Sequence, residues 1–232
     1  MAESVTLDTR SGVLIEAIVR VLQSAFRPMR VMKGGSEGKN TTIRRSDIDL
    51  VVVLNEFNHK CIREYCATAR SALDAEGSMT TIQRTQTDKF MKLLIRKGTD
   101  QRDVDFLFTG DPDKNCFDNP PWSYSCYRTL EQVDHVKQKK ARFPRLHEVI
   151  LQCKIWMDNL KSPVLVSGYY IELLCIKAFE DHGNSNITLG TVLDQIVQLR
   201  IYEMICPVTN NPVAVATRYH ECLWAQAKSY IE

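Results

Sequence analysis

The chain has 232 residues, enough for one large domain or two lobes, and its 44% hydrophobic and 25% charged residues are typical of a globular protein. It contains no apolar run long enough for a transmembrane helix, and its acid-containing start lacks the apolar core of a secretory signal. We therefore expect a cytoplasmic protein without membrane association. The net charge of +2 neither requires nor excludes a nucleic-acid partner.

The first half of the chain mixes helix and strand signals. Apolar residues recur at helical spacing near the start, and a β-branched run ends at Leu54. The predicted elements are, in chain order, a helix at Gly12–Phe26, a strand at Met29–Met32, a turn at Gly34–Gly38, a strand at Asp47–Leu54, a helix at Cys61–Leu73, strands at Met79–Arg84, Lys89–Arg96 and Arg102–Phe108, and a loop at Asp111–Trp122.

Strand signals vanish in the second half. The periodicity there predicts helices at 126–140, 145–158, 167–182, 188–203 and 213–230. A mixed first half followed by a helical second half predicts an α+β architecture, with one lobe at residues 1–125 and a helical lobe at residues 126–232.

Two acids open the most apolar predicted strand. Asp47 and Asp49 are two residues apart, so their side chains lie on one face, about 6.5–7 Å from each other along the strand. Two neighbouring carboxylates cost repulsion and desolvation unless a cation neutralises them. Mg²⁺ prefers carboxylate and phosphate oxygens and is the predicted ion. The alternative is that the Ser-Asp-x-Asp sequence only caps the strand.

A third acid lies in a second apolar strand. Asp105 stands between Val104 and Phe106 and is the predicted third metal ligand, while Asp103 is either a supporting group or a strand-end charge. Three carboxylates can hold two metal ions. One of these would activate an attacking hydroxyl, and the other would stabilise a leaving pyrophosphate.

A glycine pair precedes the first two acids. Gly34 and Gly35 let the backbone approach a ligand closely and expose N–H groups to an anion, and Ser36 adds a hydroxyl donor. The segment is not a P-loop, because the Gly-x-x-x-x-Gly-Lys-[Ser/Thr] pattern is absent. Its position before an Asp-x-Asp strand, with another acidic strand downstream, makes a phosphate-binding site the favoured interpretation.

These motifs resemble the polymerase-β-like nucleotidyltransferase superfamily and, within it, the 2′-5′-oligoadenylate synthetases. The similar segments are KGGSEGKNTTIRRSDIDLVVVL (Lys33–Leu54), RDVDFLF (Arg102–Phe108), RFPRLHEVILQCKIW (Arg142–Trp156), YYIELLCIKAFEDHG (Tyr169–Gly183) and CPVTNNP (Cys206–Pro212). The resemblance implies a polymerase-β-like lobe with a mixed sheet, a C-terminal helical lobe and an active site in the cleft between them.

The resemblance also implies a function: synthesis of 2′-5′-linked oligoadenylate from ATP with Mg²⁺ as cofactor, activated by double-stranded RNA in innate immunity. The implied site residues are Asp47, Asp49 and Asp105 as catalytic metal ligands, Gly35 and Ser36 for the triphosphate, Lys154 for a phosphate, Tyr169 for the base, and Lys39 and Lys140 for RNA. Leu151 and Gly168 depart from the family pattern, which has arginine and glutamine there, and Asn40 replaces a glycine.

Two other functions stay open. Cyclic GMP-AMP synthases share the fold and the acid pattern, so a cyclic dinucleotide is an alternative product. A catalytically silent RNA-binding homologue is a second alternative. Basic clusters in Arg27–Arg45 and Lys137–Arg145 fit an RNA backbone, but they equally fit a solvated surface or the steering of ATP.

Overall fold

The computed structural model describes residues 9–28, 30–43, 46–87, 90–110, 121–160, 165–183 and 186–232. The chain divides into two compact units, residues 1–133 and 134–232. The first contains α1 (Thr9–Phe26), β1 (Arg30–Lys33), α2 (Gly35–Lys39), β2 (Ile48–Leu54), α3 (Ile62–Ala75), β3 (Thr80–Gln86), β4 (Phe90–Lys97), β5 (Asp100–Gly110) and the start of α4 (Pro121–Arg142). The division falls within α4, a few residues after the boundary predicted from sequence. Most of the predicted loop Asp111–Trp122 lies outside the described residues, and its last two residues are helical.

The first unit is built on a five-stranded mixed sheet. The strand order is β1-β2-β5-β4-β3, in which β2 and β5 are parallel and the other neighbours are antiparallel. All five strands were predicted, with end shifts of a few residues. The predicted glycine turn is instead the short helix α2, which Asn40 ends with a left-handed φ of 53°.

The sheet buries both faces of strand β2. Leu50 and Val52 of β2 lie in a core with apolar residues of α1 and α3, such as Ile18. Val51 and Val53 point the other way and pack against Leu130 of α4. Each such burial stabilises the fold by roughly 1.5–3 kcal/mol. Because side chains alternate along a strand, Asp49 shares the face of Val51 and Val53.

The second unit is mainly helical. Its elements are the end of α4, α5 (Leu146–Asp158), α6 (Gly168–His182), α7 (Leu189–Leu199), β6 (Glu203–Ile205), β7 (Pro212–Ala214) and α8 (His220–Ile231). Helix α6 is buried along most of its length and is capped by Ser167, whose hydroxyl accepts a hydrogen bond from the Tyr169 N–H. In the described part of the chain, no helix is long and apolar enough to span a membrane.

The hairpin β6–β7 corrects the prediction of an all-helical second half. Helix α7 ends at Leu199, before the predicted residue 203, because Arg200 adopts a left-handed φ of 52°. The hairpin turn closes through a hydrogen bond from the Asn210 N–H to the Cys206 carbonyl. Pro207 and Pro212 cannot donate backbone hydrogen bonds, which disfavours a helix through this stretch.

Candidate active site

Four backbone positions in adjacent strands form a row across the sheet. The Gly34 N–H, just after β1, donates to the Asp49 carbonyl at 2.8 Å. Asp49 of β2 is in register with Asp105 of β5, and Asp105 is in register with Lys92 of β4. Neighbouring strands lie about 4.8 Å apart, so the two carboxylates and the ammonium stand side by side on one face. Asp47 lies just before β2 and shares this face, and Asp47, Asp49 and Asp105 are hereafter the carboxylate trio.

The glycine segment fits closely over one member of the trio. Gly35 has a φ of 45°, and a Cβ atom added there would lie 1.7 Å from Asp49 Oδ2 and 2.6 Å from Asp49 Cγ. A side chain at this position would require the Asp49 carboxylate or the backbone to move, so both the backbone conformation and the close contact favour glycine. The next residue, Ser36, is the second residue of α2 and is partly exposed. The backbone of the glycine segment therefore lies directly against the Asp49 carboxylate, and the predicted approach to a phosphate ligand stays a prediction.

Among the described residues, the cations near the carboxylate trio do not offset the effect of burial on two of its acids. Burial raises the pKa of Asp49, and the charge of Asp47 raises it further, against the opposing charges of Lys39 and Lys92. Burial also raises the pKa of Asp105 to about 6, although Lys92 acts to lower it. Asp105 Oδ1 is buried without a hydrogen-bond partner and has Lys92 Nζ 3.5 Å away. Two neighbouring, partly buried acids with raised pKa values are typical of a functional site.

Asp105 should give the metal-free protein a pH-dependent stability. Between its ordinary pKa of 3.8 and about 6, the folded chain retains a proton that the unfolded chain has lost, so stability falls as pH rises. The total loss is at most roughly 3 kcal/mol, because solvent screens this partly exposed carboxylate. In EDTA near pH 8, the free energy of unfolding of Asp105→Asn should therefore be higher than that of the wild type by up to this amount. Near pH 4 the two free energies of unfolding should be almost equal. Urea unfolding at both pH values tests this, and an equal difference at both would contradict it.

Asp103 is set apart from the trio by its own partner. Asp103 is two residues before Asp105, so the two side chains lie on the same face of β5. The partner of Asp103 is Arg84 of β3, whose Nε atom is 3.7 Å from Asp103 Oδ1. The side chain of Asp103 is 37% exposed, against 19% for Asp105. These differences favour the strand-end charge over the supporting role for Asp103, and they make it a matched control for Asp105.

The donor set suits Mg²⁺ in its chemistry. Carboxylate oxygens are the protein ligands this ion prefers, and Asp105 offers a buried oxygen that lacks a hydrogen bond. Among the described residues, however, no three acidic, histidine or cysteine side chains are gathered as a metal cluster. Asp47 Oδ2 instead accepts a hydrogen bond of 2.6 Å from Lys92 Nζ. A cation thus already lies between two members of the trio, which indicates that this position favours positive charge.

The two nucleotide-contacting residues predicted in the helical half lie in the second unit. Lys154 of α5 forms an ion pair of 2.6 Å with Glu172 of α6, and the two side chains are 7% and 1% exposed. A Cβ atom at Gly168 would lie 3.6 Å from Lys154 Cε, so the first residue of α6 adjoins the lysine. The Tyr169 hydroxyl lies 3.5 Å from Cys206 Sγ.

Removal of one partner of the Lys154–Glu172 ion pair should be strongly destabilising. Removing one partner of a buried pair leaves an uncompensated charge and costs about 3–5 kcal/mol. We expect this loss in Glu172→Gln and a smaller one in the double variant Lys154→Met with Glu172→Leu, which leaves no buried charge from the pair. Thermal unfolding of the two variants measures the difference, and a double variant as unstable as Glu172→Gln would contradict it.

The predicted RNA-contacting lysines differ in exposure. Lys39 is only 4% exposed, and its charge lowers the pKa of Asp49, which favours a role beside the trio over one on an RNA-binding surface. Lys140 is half-buried, and burial lowers its pKa, against the charge of Glu172. Lys137, Arg142 and Arg145 are exposed, whereas Lys139 pairs with Glu180. Arg44 and Arg45 lie outside the described residues.

Lys92 and Glu172 are site residues that the sequence analysis missed. The sequence did contain a signal for Lys92: it is a charged residue between Met91 and Leu93 in an apolar strand. Because side chains alternate along a strand, Lys92 lies on the face opposite to these two core residues. Its pairing with Asp47 depends on a contact between residues 45 positions apart, which local pattern does not reveal. Glu172 resembles any helical glutamate until its neighbours are known.

Comparisons with known proteins support the fold. No family model and no curated protein matches the sequence. Among solved structures, the protein is similar to the CdnE c-di-GMP synthase from Capnocytophaga granulosa, with a TM-score of 0.70 and 16% identity over 96% of this chain and 80% of that one. It is also similar to CdnC of E. coli MS115-1 in a complex with HORMA, with a TM-score of 0.64 and 16% identity over 94% and 81% of the chains.

A third similar structure is the Cid1 poly(U) polymerase with Mg and 3′-dATP bound, with a TM-score of 0.57 and 12% identity over 96% of this chain and 66% of that one. None of the three is a 2′-5′-oligoadenylate synthetase, so they support the broader superfamily fold and not the narrower resemblance. The fold prediction is confirmed: the chain has the α+β fold of the polymerase-β-like nucleotidyltransferases.

Proposed function

We propose that the protein is a Mg²⁺-dependent nucleotidyltransferase that transfers a nucleotidyl group from ATP to a ribose hydroxyl of an acceptor nucleotide. The oxygen of the hydroxyl forms a bond to the α-phosphorus, the bond to the β-phosphate oxygen breaks, and pyrophosphate leaves. The observation that carries this proposal is the register of Asp49 with Asp105, beside Gly35, where an added Cβ would clash with the Asp49 carboxylate. The fold, shared with the CdnE synthase and the Cid1 polymerase, supports it.

In this proposal the carboxylate trio holds Mg²⁺. The ion supplies charge neutralisation for the phosphates and for the attacking oxygen. Asp105 is the carboxylate proposed to receive or direct the proton of the attacking hydroxyl. The backbone at Gly35 and the Ser36 hydroxyl orient the triphosphate, and the fixed geometry of these groups lowers the entropic cost of reaction.

For the second unit, nucleotide contacts by Lys154 and Tyr169 are proposed from the sequence resemblance. Lys154 binds a phosphate, and Tyr169 stacks on the base. Glu172 then has a defined task, because it fixes the lysine ammonium at the first turn of α6. The absence of a side chain at Gly168 leaves room beside that ammonium for an oxygen of the ligand.

The first candidate product is 2′-5′-linked oligoadenylate, which the sequence motifs favour. The second is a cyclic dinucleotide, which is favoured by the likeness to a c-di-GMP synthase at a TM-score of 0.70. A silent RNA-binding role is disfavoured. A protein without catalysis gains nothing from buried, incompletely neutralised carboxylates, which cost stability.

Activation by double-stranded RNA is the other part of the proposal. The exposed bases Lys137, Arg142 and Arg145 lie near the end of α4 and the start of α5. Double-stranded RNA is recognised mainly through its shape and backbone, so a short basic strip suffices for a first contact. Reversing these three charges should abolish activation by RNA without changing the basal rate.

One assay tests the activity and separates the products. The purified protein is incubated with all four nucleoside triphosphates and Mg²⁺, with and without double-stranded RNA, and products are identified by mass spectrometry and linkage-specific nucleases. Adenylate oligomers that resist a 3′-5′-specific nuclease, more abundant with RNA, are expected. A cyclic product would support the second candidate. RNA binding without pyrophosphate release from any triphosphate would contradict the proposed activity.

A further inference from the structure

The side chain of Lys92 lies inside the carboxylate trio. Its Nζ is 2.6 Å from Asp47 Oδ2 and 3.5 Å from Asp105 Oδ1, and the side chain is 27% exposed. One ammonium group therefore contacts two of the three carboxylates, Asp47 just before β2 and Asp105 in β5. It supplies part of the positive charge that a divalent ion would otherwise supply.

The fold itself does not require a charge at this position. The neighbours of Lys92 in β4, among them Met91, Leu93 and Leu94, are buried apolar residues. A lysine within such a strand must desolvate part of its ammonium, and only a paired acid offsets that cost. The pairing with Asp47 bridges 45 residues of sequence and is specific to this site. Lys92 is thus placed by the carboxylates and not by the needs of the sheet.

The contact also alters the position of a proposed metal ligand. Asp47 is 43% exposed, and its Oδ2 atom is directed at Lys92 by the hydrogen bond. In the described residues the trio does not form a metal cluster as it stands. For Asp47 to ligate an ion together with Asp49 and Asp105, its contact with the ammonium must be exchanged for one with the metal.

We propose that Lys92 is a built-in counter-cation that competes with divalent metal for Asp47 and Asp105. This inference rests on the proposed function, because it takes the trio as the metal site. Lys92 is a positioning residue in this account: it holds the carboxylates in the metal-free protein and yields Asp47 when the ion binds. Its presence weakens metal binding in the absence of nucleotide, so that the site fills only when the ion arrives with the added charge of a triphosphate.

The test measures metal binding directly, without turnover. Mn²⁺ is titrated into nucleotide-free protein, and free Mn²⁺ is counted by electron paramagnetic resonance for the wild type, Lys92→Met and Lys92→Gln. Both variants should bind Mn²⁺ at least about tenfold more tightly, since they remove a positive charge within 4 Å of two ligands. Adding saturating Mg²⁺ should raise the thermal midpoint of each variant more than that of the wild type.

Two controls separate this proposal from a general charge effect. Arg84→Met also removes a cation from an acid on the same sheet face, Asp103, and it should leave the Mn²⁺ affinity within about twofold. Lys92→Arg keeps the charge and should remain a weak binder. Unchanged or weaker Mn²⁺ binding in both neutral Lys92 variants would overturn the proposal.

The outcome also distinguishes this inference from the proposed function. If the wild type binds Mn²⁺ and Asp105→Asn does not, the trio is a metal site. The Lys92 variants then test the role of Lys92 separately. If neither the wild type nor the Lys92 variants bind Mn²⁺, even at millimolar concentration with nucleotide present, the metal site and the role of Lys92 are both contradicted.

Discussion

Asp105→Asn is expected to reduce nucleotidyl transfer at least about a hundredfold, the scale observed when one preorganised electrostatic contact is removed from a reaction centre. Asparagine retains the shape of the side chain but lacks the negative charge that binds a divalent ion and accepts a proton. The loss should appear in kcat, because it acts on the reacting groups. The variant should fold as well as the wild type, since a buried charge of raised pKa is removed.

Asp103→Asn is the matched control for this prediction. It makes the same chemical change on the same strand and face, at a residue that pairs with Arg84 instead of Lys92. We expect its activity to stay within a few-fold of the wild type, as is usual for loss of an exposed ion pair. Pyrophosphate release assays measure both variants. Equal losses in Asp103→Asn and Asp105→Asn would show that strand β5 is sensitive to charge in general and would remove the case for Asp105 as a ligand.

Gly35→Ala is expected to cause a loss of similar size by a steric route. Its Cβ would lie 1.7 Å from Asp49 Oδ2 and 3.1 Å from Asp49 Cβ, so the carboxylate or the glycine backbone must move. The positive φ of 45° adds strain of roughly 1–2 kcal/mol for alanine. Both changes displace a proposed metal ligand relative to the backbone that receives the triphosphate, and activity should fall at least about a hundredfold.

Gly98→Ala separates the clash from the strain. Gly98 has a φ of 61°, and a Cβ atom added there would meet nothing within 4 Å. This variant should lose stability through strain alone and should retain nearly full activity per folded molecule. Circular dichroism and pyrophosphate release together compare the two. If Gly35→Ala is as active as Gly98→Ala, the close approach of the glycine segment to Asp49 has no role in catalysis.

Local sequence pattern predicted the sheet and its acids well. The alternation in β2 and β5 identifies which side chains share a face, and this places Asp49 and Asp105 correctly once the two strands are neighbours. Periodicity alone cannot predict that β2 and β5 are neighbours, because they are far apart in sequence. The motif resemblance predicted that the two acidic strands are neighbours, and the structure shows them paired.

The features that local pattern missed depend on tertiary contacts or on single backbone angles. The pairing of Lys92 with Asp47 is set by the order of strands in the sheet, not by neighbours in sequence. The hairpin β6–β7 follows from the left-handed turn at Arg200, a residue with no special preference for that conformation. Lys39 looked like a surface lysine, and its burial arises from the packing of α2 against β2.

A crystal structure with Mn²⁺ and a non-hydrolysable ATP analogue tests the central claim most directly, because anomalous scattering locates the metal without reference to activity. We expect Mn²⁺ to be held by carboxylate oxygens of Asp47, Asp49 and Asp105, with Lys92 withdrawn from Asp47. Metal bound elsewhere, or a Lys92 ammonium that still bridges Asp47 and Asp105 with nucleotide present, would contradict it.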